Sequence, residues 1–189
     1  VAHRLGLPHI VYAHELLNVD SELRPRDCSL AEYLQMLDQR SCGWLACSQV
    51  VKQMLQIEGG VASKKVHTLP PRGFDLSQSL VGWSEGVAKP WRLVLIGEQS
   101  FRKDPAFAVL VLQGLRSRGH QVVLEHYGIA GNAQESFDAT VTRLGLNQWV
   151  QLHGWHCDPA SELDHSCIHL ITAKSEPFGL TIPECLERG

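Results

Sequence analysis

Short apolar runs alternate with helical patterns along most of this chain, and this alternation restricts the folds that the chain can adopt. The apolar runs cover 8–13, 44–47, 66–69, 92–96, 122–126, 149–152 and 168–171. Strands that are apolar throughout are typical of a parallel sheet covered on both faces, and the helices between them are typical crossover connections. The sequence therefore predicts an α/β protein built on parallel sheets.

Capping signals predict where several of the helices begin. Ser29 is followed three residues later by Glu32, which is the pattern of a capping box, and Ser48 precedes a second helical segment. Asn132 is predicted to cap the helix that follows it. The remaining predicted helices cover 105–118, 133–144, 159–164 and 183–188.

Packing and turn chemistry give two further expectations about these helices. Phe107, Val111 and Leu115 recur every four residues, which predicts that they form the buried face of the helix over 105–118. Pro183 is placed in the first turn of the last helix, where its missing N–H does no harm.

A stretch over 77–90 contains Ser and Gly without periodicity and separates two series of strands and helices. We interpret it as a connection between two α/β lobes. The predicted domains are the remainder of a first lobe at 1–80, a linker at 81–91 and a second lobe at 92–189. The chain begins at Val1 rather than Met and stops at a predicted C-cap Gly directly after a helix, so we expect it to be a fragment.

Charge and cysteine usage exclude several classes of function. The formal net charge is −3 and the basic residues are scattered, so no nucleic-acid partner is expected. The apolar runs are far too short to span a bilayer. The six cysteines form no CxxC pair, which favours reduced thiols and a cytoplasmic location.

Two loops that follow strands contain glycines next to polar side chains. In open parallel sheets, ligands bind beyond the carboxyl ends of the strands. Gly97 directly follows a strand, and Arg102 and Lys103 precede the next helix, which suits a diphosphate; solvated cations in an ordinary turn are the alternative. The loop with Gly128 and Gly131 is also explained by a plain strand-to-helix turn.

A third loop has a carboxylate at each end. Glu176 and Glu184 flank a segment that leads into a helix, so its backbone N–H groups suit an anionic diphosphate. Carboxylates also accept hydrogen bonds well from sugar and ribose hydroxyls. The alternatives are a surface carboxylate at Glu176 and complementation of the helix dipole by Glu184.

The third loop, EPFGLTIPE at 176–184, resembles the E-x7-E motif of retaining glycosyltransferases of the GT-B type, and is most similar to family 4. Other segments resemble that family in the same order along almost the whole chain. They are LGLPHIVYAHE at 5–15, LACSQVVKQML at 45–55, KVHTLPPRGFD at 65–75, LVLIG at 93–97 with Lys103, VVLEHYGIAG at 122–131 and LGLNQWVQLHGW at 144–155. The resemblance implies two Rossmann-like lobes, the first facing the acceptor and the second binding the donor, and it implies that both lobes are incomplete in this chain.

The resemblance also implies roles for individual residues. Glu176 would contact the donor hexose near its reacting face, and Glu184 would hold the ribose hydroxyls. Lys103, together with Arg102, would neutralise the leaving diphosphate. Glu98 stands where the family usually has Arg. The sequence therefore lacks one of the cations that would bind the diphosphate.

Further donor and acceptor contacts follow from the same resemblance. Gly97 and Gly128 would let the backbone approach the donor, and His14 would lie on the acceptor side as a third catalytic candidate with Glu176 and Lys103. A neutral histidine at a strand end is the alternative for His14. Backbone N–H groups for phosphate and sugar would come from Phe178, Gly179 and Leu180.

The implied activity is transfer of a sugar from a UDP-, GDP- or ADP-linked donor to an unidentified acceptor hydroxyl, with retained anomeric configuration. Protein cations replace a metal in such enzymes, so no cofactor and no metal site are expected. A lipid-linked acceptor would make the protein peripheral to the membrane. We expect the chain to be a piece of a longer enzyme and to be inactive alone.

Other classes of function fit parts of the sequence. A cluster of histidines and cysteines suggests zinc: His153, His156, Cys157, His165, Cys167 and His169. The strand-like alternation of its last three members puts them on one sheet face, but Cys167 and His169 are predicted to be buried core.

No GxGxxG follows a strand, which argues against a dinucleotide-binding domain. A GT-B epimerase and a non-catalytic nucleotide-sugar binding protein share the architecture.

Overall fold

A computed structural model describes residues 3–19, 23–71, 73, 90–164 and 166–187 of the chain. These residues divide into two compact units. The first holds the residues up to Gly73 together with Ser175–Gly179, and the second holds the residues from 90 to Lys174 and from Leu180 onwards. Most of the predicted linker, 81–89, lies outside the described residues. Each unit contains one parallel sheet, as the apolar runs predict.

The first unit contains a three-stranded sheet in the order β1-β2-β3. Its strands are β1 (Ile10–Ala13), β2 (Gly43–Ala46) and β3 (Val66–Thr68). Its helices are α1 (Leu30–Asp38), α2 (Gln49–Gln53), a π-helical turn at Met54–Glu58 that continues α2, and 3-10 turns at His3–Leu5 and Ser63–Lys65. Both β1 and β3 pair in parallel with β2.

The capping predictions for the first two helices are confirmed. The Ser29 hydroxyl accepts from the Glu32 N–H at 3.3 Å, while the Glu32 carboxylate accepts from the Ser29 N–H at 2.9 Å. Ser48 accepts from the Val51 N–H at 3.3 Å in the same way. Each bond satisfies a backbone donor that has no partner within the helix.

Burial in the first unit is greatest around β2 and the helices. Trp44 of β2 is buried, and its indole N–H donates to Asp38 at 2.9 Å. Asp38 also forms an ion pair with Lys65 at 3.0 Å. The prediction that β1 is buried throughout is wrong, since Ile10 is 60% exposed and only Ala13 is buried. The reason is that β1 lies at an edge of the described sheet.

The second unit contains a four-stranded parallel sheet in the order β6-β5-β4-β7. Its strands are β4 (Trp91–Ile96), β5 (Val122–Tyr127), β6 (Val150–Gly154) and β7 (Cys167–His169). Its helices are α3 (Pro105–Ser117), α4 (Gln134–Arg143), α5 (Thr181–Leu186), and 3-10 turns at Asn147–Trp149 and Pro159–Glu162. All six residues of β5, which is central, are buried.

The predicted buried face of α3 is correct only in part, because Val111 and Leu115 pack partly buried against the core but Phe107 does not. Phe107 is 52% exposed, whereas Ala108, Val109 and Leu112 are fully buried. The fully buried residues, beginning with Pro105, follow the spacing i, i+3, i+4, i+7, which is the usual pattern of a buried helix face. The i, i+4, i+8 row through Phe107 runs along the edge of that face. The sequence pattern therefore located the helix but not its orientation.

Two other elements of the second unit also differ from expectation. Strand β6 was predicted as buried, but four of its five residues are exposed, because β6 is an edge strand of the described sheet. Helix α5 begins at Thr181, and Pro183 occupies its third position, still within the first turn. Cys167 and His169 are only partly buried, contrary to prediction.

No helix in the described part of the chain combines the length and apolar character needed to cross a membrane.

Candidate active site

The loops that follow β4 and β5 lie side by side in the second unit. We call residues 97–104 the β4 loop and residues 128–133 the β5 loop. The Gly97 N–H donates to the Tyr127 carbonyl at 2.9 Å, and the Gln99 N–H donates to the Ile129 carbonyl at 3.0 Å. Backbone pairing thus continues beyond the ends of the two strands.

The glycines of the β5 loop are explained by this close approach. A Cβ atom at Gly128 would collide with the Gly97 carbonyl oxygen, and one at Gly131 would come within 2.7 Å of the Glu98 carboxylate and the Gln99 carbonyl. Asn132 does not cap α4, contrary to prediction. Its side-chain oxygen instead accepts from the Phe101 N–H at 2.8 Å, which joins the two loops once more.

Lys103 and Gly97, both predicted to bind the donor, are neighbours. Gly97 has a φ of +134°, a conformation that favours glycine. A Cβ atom at this position would lie 3.6 Å from Cε of Lys103, so the lysine side chain lies over the glycine. The structure therefore brings a cation to the backbone directly beyond the carboxyl end of β4.

The end of the β4 loop is held by the segment that follows β7. The Lys103 carbonyl accepts from the Thr172 hydroxyl at 2.7 Å, and the Arg102 carbonyl accepts from the Lys174 N–H at 2.8 Å. The Lys174 ammonium forms an ion pair with Asp104 at 3.1 Å. Asp104 has a φ of 47°, which costs energy for a residue with a Cβ atom, so this ion pair stabilises a strained position.

His169 is a neighbour of Lys103 that the sequence analysis considered only as a zinc ligand. It is the last residue of β7 and is half-buried. Burial lowers the pKa of His169, and the positive charge of Lys103 lowers it further. Its place at the carboxyl end of a predicted strand is the signal that could have identified it, because such ends meet at one edge of a parallel sheet.

Glu176, Phe178 and Gly179 belong to the first unit. Phe178 packs against the core of that unit. Gly179 has a φ of +76°, and its N–H donates to the Glu176 carboxylate at 3.2 Å. The resemblance predicts that Gly179 presents this N–H to the donor, which stays a prediction; in the structure the N–H is paired with Glu176.

Cys47 connects His14 with the loop that contains Glu176, and the sequence analysis did not identify it. The Cys47 thiol is buried, 3.6 Å from the His14 carbonyl and 3.9 Å from the Pro177 carbonyl, so it donates to this pair of acceptors. Burial raises the pKa of Cys47, and the charges of Glu15 and Glu176 raise it further. The thiol therefore stays protonated at neutral pH.

His14 itself is exposed at the end of β1, where its ring centroid lies 4.0 Å from that of Tyr12. Leu180 and Glu184 belong to the second unit. Leu180 is exposed and precedes α5, and Glu184 lies half-buried in the first turn of that helix. Burial raises the pKa of the adjacent Cys185 to about 11, with a smaller contribution from the Glu184 charge.

The histidines considered as zinc ligands have other contacts. His165 lies outside the described residues, and elsewhere in the described chain no group of three His, Cys, Asp or Glu side chains is arranged to hold a metal ion. The His153 ring stacks on the Tyr127 ring, with 4.4 Å between the ring centroids. The His156 ring meets the same tyrosine edge-on, with 5.2 Å between the centroids. Cys167 lies 3.5 Å from the Asp164 carboxylate.

The arrangement in the second unit is suited to an anion. Backbone loops at the carboxyl ends of β4 and β5 are locked together, and Lys103 lies over one of them. Backbone N–H groups and a lysine bind phosphate oxygens through charge-assisted hydrogen bonds. Considered by itself, the first unit contains two of the predicted site residues, the half-buried carboxylate of Glu176 and the exposed imidazole of His14.

Comparison with solved structures identifies the fold. The chain is similar to Anabaena HepE crystallised with UDP-glucose, with 20% sequence identity and a TM-score of 0.76. The match covers 99% of this chain and 53% of the HepE chain. It is also similar to WaaG, a glycosyltransferase involved in lipopolysaccharide biosynthesis, with 17% identity, a TM-score of 0.67, and 96% and 55% of the two chains covered. The pneumococcal O-GlcNAc transferase GtfA, crystallised with UDP and GlcNAc, gives 19% identity, a TM-score of 0.61, and 82% and 31% coverage.

These likenesses establish an α/β fold with two parallel sheets that match the Rossmann-like lobes of GT-B glycosyltransferases. The chain spans about half the length of the HepE and WaaG structures. No protein-family model matches the sequence, and no curated protein sequence matches it either.

Proposed function

We propose that this chain is the donor-binding part of a glycosyltransferase that moves a sugar from a nucleotide diphosphate to an acceptor hydroxyl with retention of configuration. One observation carries the proposal: Lys103 lies over Gly97 where the β4 and β5 loops are joined by backbone hydrogen bonds. Ligands of open parallel sheets bind at this edge. The E-x7-E spacing of Glu176 and Glu184 adds the carboxylates that sugar hydroxyls require.

The leaving diphosphate is the group that needs stabilisation in such a transfer. Negative charge develops on it in the transition state, and fixed cations and backbone N–H groups there lower the barrier. Lys103 and Arg102 would supply the positive charge, and Gly97 and Gly128 would let the phosphates approach the backbone. Glu98 adds a negative charge to the same loop, which the Arg102 guanidinium would balance in this proposal.

The two glutamates would act on the sugars of the donor. In the proposed complex, a hexose hydroxyl takes the place of the Gly179 N–H as donor to the Glu176 carboxylate, and Glu184 accepts from the ribose. Phe178, Gly179 and Leu180 would then turn their N–H groups to phosphate and sugar. His14, exposed in the first unit, would lie on the acceptor side.

HepE crystallised with UDP-glucose makes UDP-linked sugars the first donors to test. Calorimetric titration of the chain with UDP, GDP and ADP should detect binding of one of them. Lys103→Ala should weaken that binding about ten- to a hundredfold, the effect of losing one hydrogen bond to a charged group. Lys64→Ala, which removes an exposed lysine of the first unit, is the matched control and should leave the affinity unchanged.

The same titration with EDTA tests whether protein cations suffice. Affinity should not change on chelation, because Lys103 and Arg102 neutralise the diphosphate in this proposal. Absence of binding by all three nucleotides would contradict the proposed function. Binding that survives Lys103→Ala but disappears with EDTA would contradict the role of the lysine.

A further inference from the structure

His126 lies beneath the proposed diphosphate site, within the sheet of the second unit. It is the fifth residue of β5 and is 1% exposed. Its Nε2 atom lies 2.8 Å from the Gly97 carbonyl oxygen, and its ring centroid lies 6.3 Å from that of Phe137 in α4. A buried imidazole in the centre of a parallel sheet is uncommon, since such strands are usually apolar.

The chemistry of the carbonyl fixes the tautomer of this histidine. A carbonyl oxygen only accepts hydrogen bonds, so the proton of the neutral ring is on Nε2. Burial lowers the pKa of His126, and the hydrogen bond to Gly97 offsets part of that effect. The ring is therefore a neutral donor at pH 7.

The hydrogen bond to His126 sets the orientation of the peptide between Gly97 and Glu98. A trans peptide is planar, with its C=O and N–H pointing in opposite directions. Because the Gly97 carbonyl points to His126 and lies against Gly128, the Glu98 N–H points away from these two residues of the β5 side. Among the hydrogen bonds of the described residues, that N–H donates to no backbone carbonyl.

A carbonyl that faced a diphosphate would repel it, whereas an N–H would bind it. The inward turn of the carbonyl therefore matters most for an anionic ligand. The space around the peptide is also restricted, because Gly128 contacts the Gly97 carbonyl so closely that no Cβ atom fits there. Gly97 itself has the φ of +134° that this turn requires.

We propose that His126 is a positioning residue for the donor diphosphate: it holds the Gly97 carbonyl inwards so that the Glu98 N–H is presented to a phosphate oxygen. This inference rests on the proposed function. It concerns a residue that does not touch the donor and acts only through the β4 loop.

His126→Phe tests the proposal, because phenylalanine keeps an aromatic ring and removes the donor. The variant should bind UDP roughly tenfold more weakly, the effect of misaligning one hydrogen bond to a charged group. Uridine has no phosphate, so its affinity should not change. His126→Gln, whose amide N–H reaches a position similar to Nε2, should restore most of the UDP affinity.

His120→Phe is the matched control, since His120 is an exposed histidine of the same unit. It should change neither affinity. Equal losses for UDP and uridine in His126→Phe would overturn the proposal, as would unchanged UDP affinity in a folded variant. If the wild-type chain binds no nucleotide, the proposed function fails first and this inference fails with it.

A measurement on the wild-type chain covers the case in which His126→Phe does not fold. Nitrogen-15 NMR of the imidazole should show Nε2 protonated at pH 7. The Glu98 amide resonance should shift more on addition of UDP than on addition of uridine. A proton on Nδ1, or equal shifts with the two ligands, would overturn the proposal.

Discussion

Three consecutive polar residues in the central strand β5 show how single side chains shape this fold. Glu125 lies on the face opposite His126, where the Arg92 guanidinium binds both of its carboxylate oxygens at 2.8 Å. The Tyr127 hydroxyl donates to the same carboxylate at 3.1 Å. A buried carboxylate is tolerated only when its acceptor positions are used in this way, so the network is expected to be sensitive to change.

Glu125→Gln should destabilise the second unit in a pH-dependent manner. The hydrogen bonds from Arg92 are the main cause that lowers the pKa of Glu125 below its ordinary value of 4.5. Folding is therefore stabilised by the ionised group above pH 4.5, and this contribution is lost as the pH falls through the lowered pKa. At pH 7 we expect a loss of about 3 kcal/mol, the lower end of the range for breaking a buried ion pair.

Urea unfolding of the two proteins at pH 7 and near pH 3 measures this effect. The difference in unfolding free energy should shrink at the lower pH. Glu135→Gln, at an exposed position of α4, serves as the control and should change little at either pH. A difference that stays constant between the two pH values would contradict the role assigned to the ionised carboxylate.

Residues of the candidate site could be predicted where their chemistry is visible in the sequence. A glycine and a lysine after a strand, or two glutamates at a fixed spacing, carry their own signal, and Lys103 does lie over Gly97. Cys47 and His126 could not be predicted, because their importance comes from carbonyl groups that only the folded chain brings to them. Whether the two glutamates act on a donor sugar stays a prediction.

Among the helices, the N-cap residues Ser29 and Ser48 were predicted correctly from the sequence, and the contribution of such a cap to stability can be tested. Ser29→Ala should destabilise the first unit by about 1 kcal/mol, the usual loss at an N-cap, because the Glu32 N–H loses its acceptor. Ser136→Ala, at an exposed position in the first turn of α4, is the matched control and should have no comparable cost, since the N-cap of that helix is Ala133 and alanine is a good helix former.

Thermal or urea unfolding of the two serine variants gives the comparison. Equal effects at Ser29 and Ser136 would mean that the capping box adds nothing to stability. The same measurement would also report whether the two units unfold together, because Ser29 and Ser136 lie in different units. A single transition for both variants would indicate one cooperative unit.

Helix positions were more predictable than helix faces. Capping and proline signals are local, so the starts of α1, α2 and α3 agree with the sequence to within a residue. The buried face of α3 depends on which side of the helix meets the sheet, which tertiary contacts decide. For the same reason Asn132, a good cap by its chemistry, accepts instead from the backbone of the β4 loop.

At the scale of the whole molecule, the alternation of strands and helices was enough to predict two parallel sheets. The prediction succeeded because parallel strands need crossover helices, and both leave a periodic pattern. The grouping of Ser175–Gly179 with the first unit had no such signal. These residues follow a strand of the second unit in sequence, yet Phe178 packs on the first core, and only long-range packing determines that choice.

The chain as a whole is expected to bind a nucleotide without transferring a sugar. The proposed diphosphate site lies in the second unit, so the chain should bind the nucleotide. It spans about half the length of the HepE and WaaG structures, and His14 is the one acceptor-side residue that we assign among its described residues. We therefore expect binding of UDP without sugar transfer when the chain is incubated with UDP-glucose and a panel of sugar or lipid acceptors.

Chromatographic detection of free UDP and of a glycosylated product is the measurement. Neither should rise above a buffer control, although calorimetry of the same sample should show UDP binding. Transfer with retained anomeric configuration would contradict this expectation while strengthening the proposed function, because it would mean that this chain is sufficient for acceptor binding. A sugar-nucleotide epimer as the product would instead identify the chain as an epimerase. The proposed diphosphate site at Lys103 and the joined β4 and β5 loops would serve either reaction, since it does not depend on which bond of the sugar reacts.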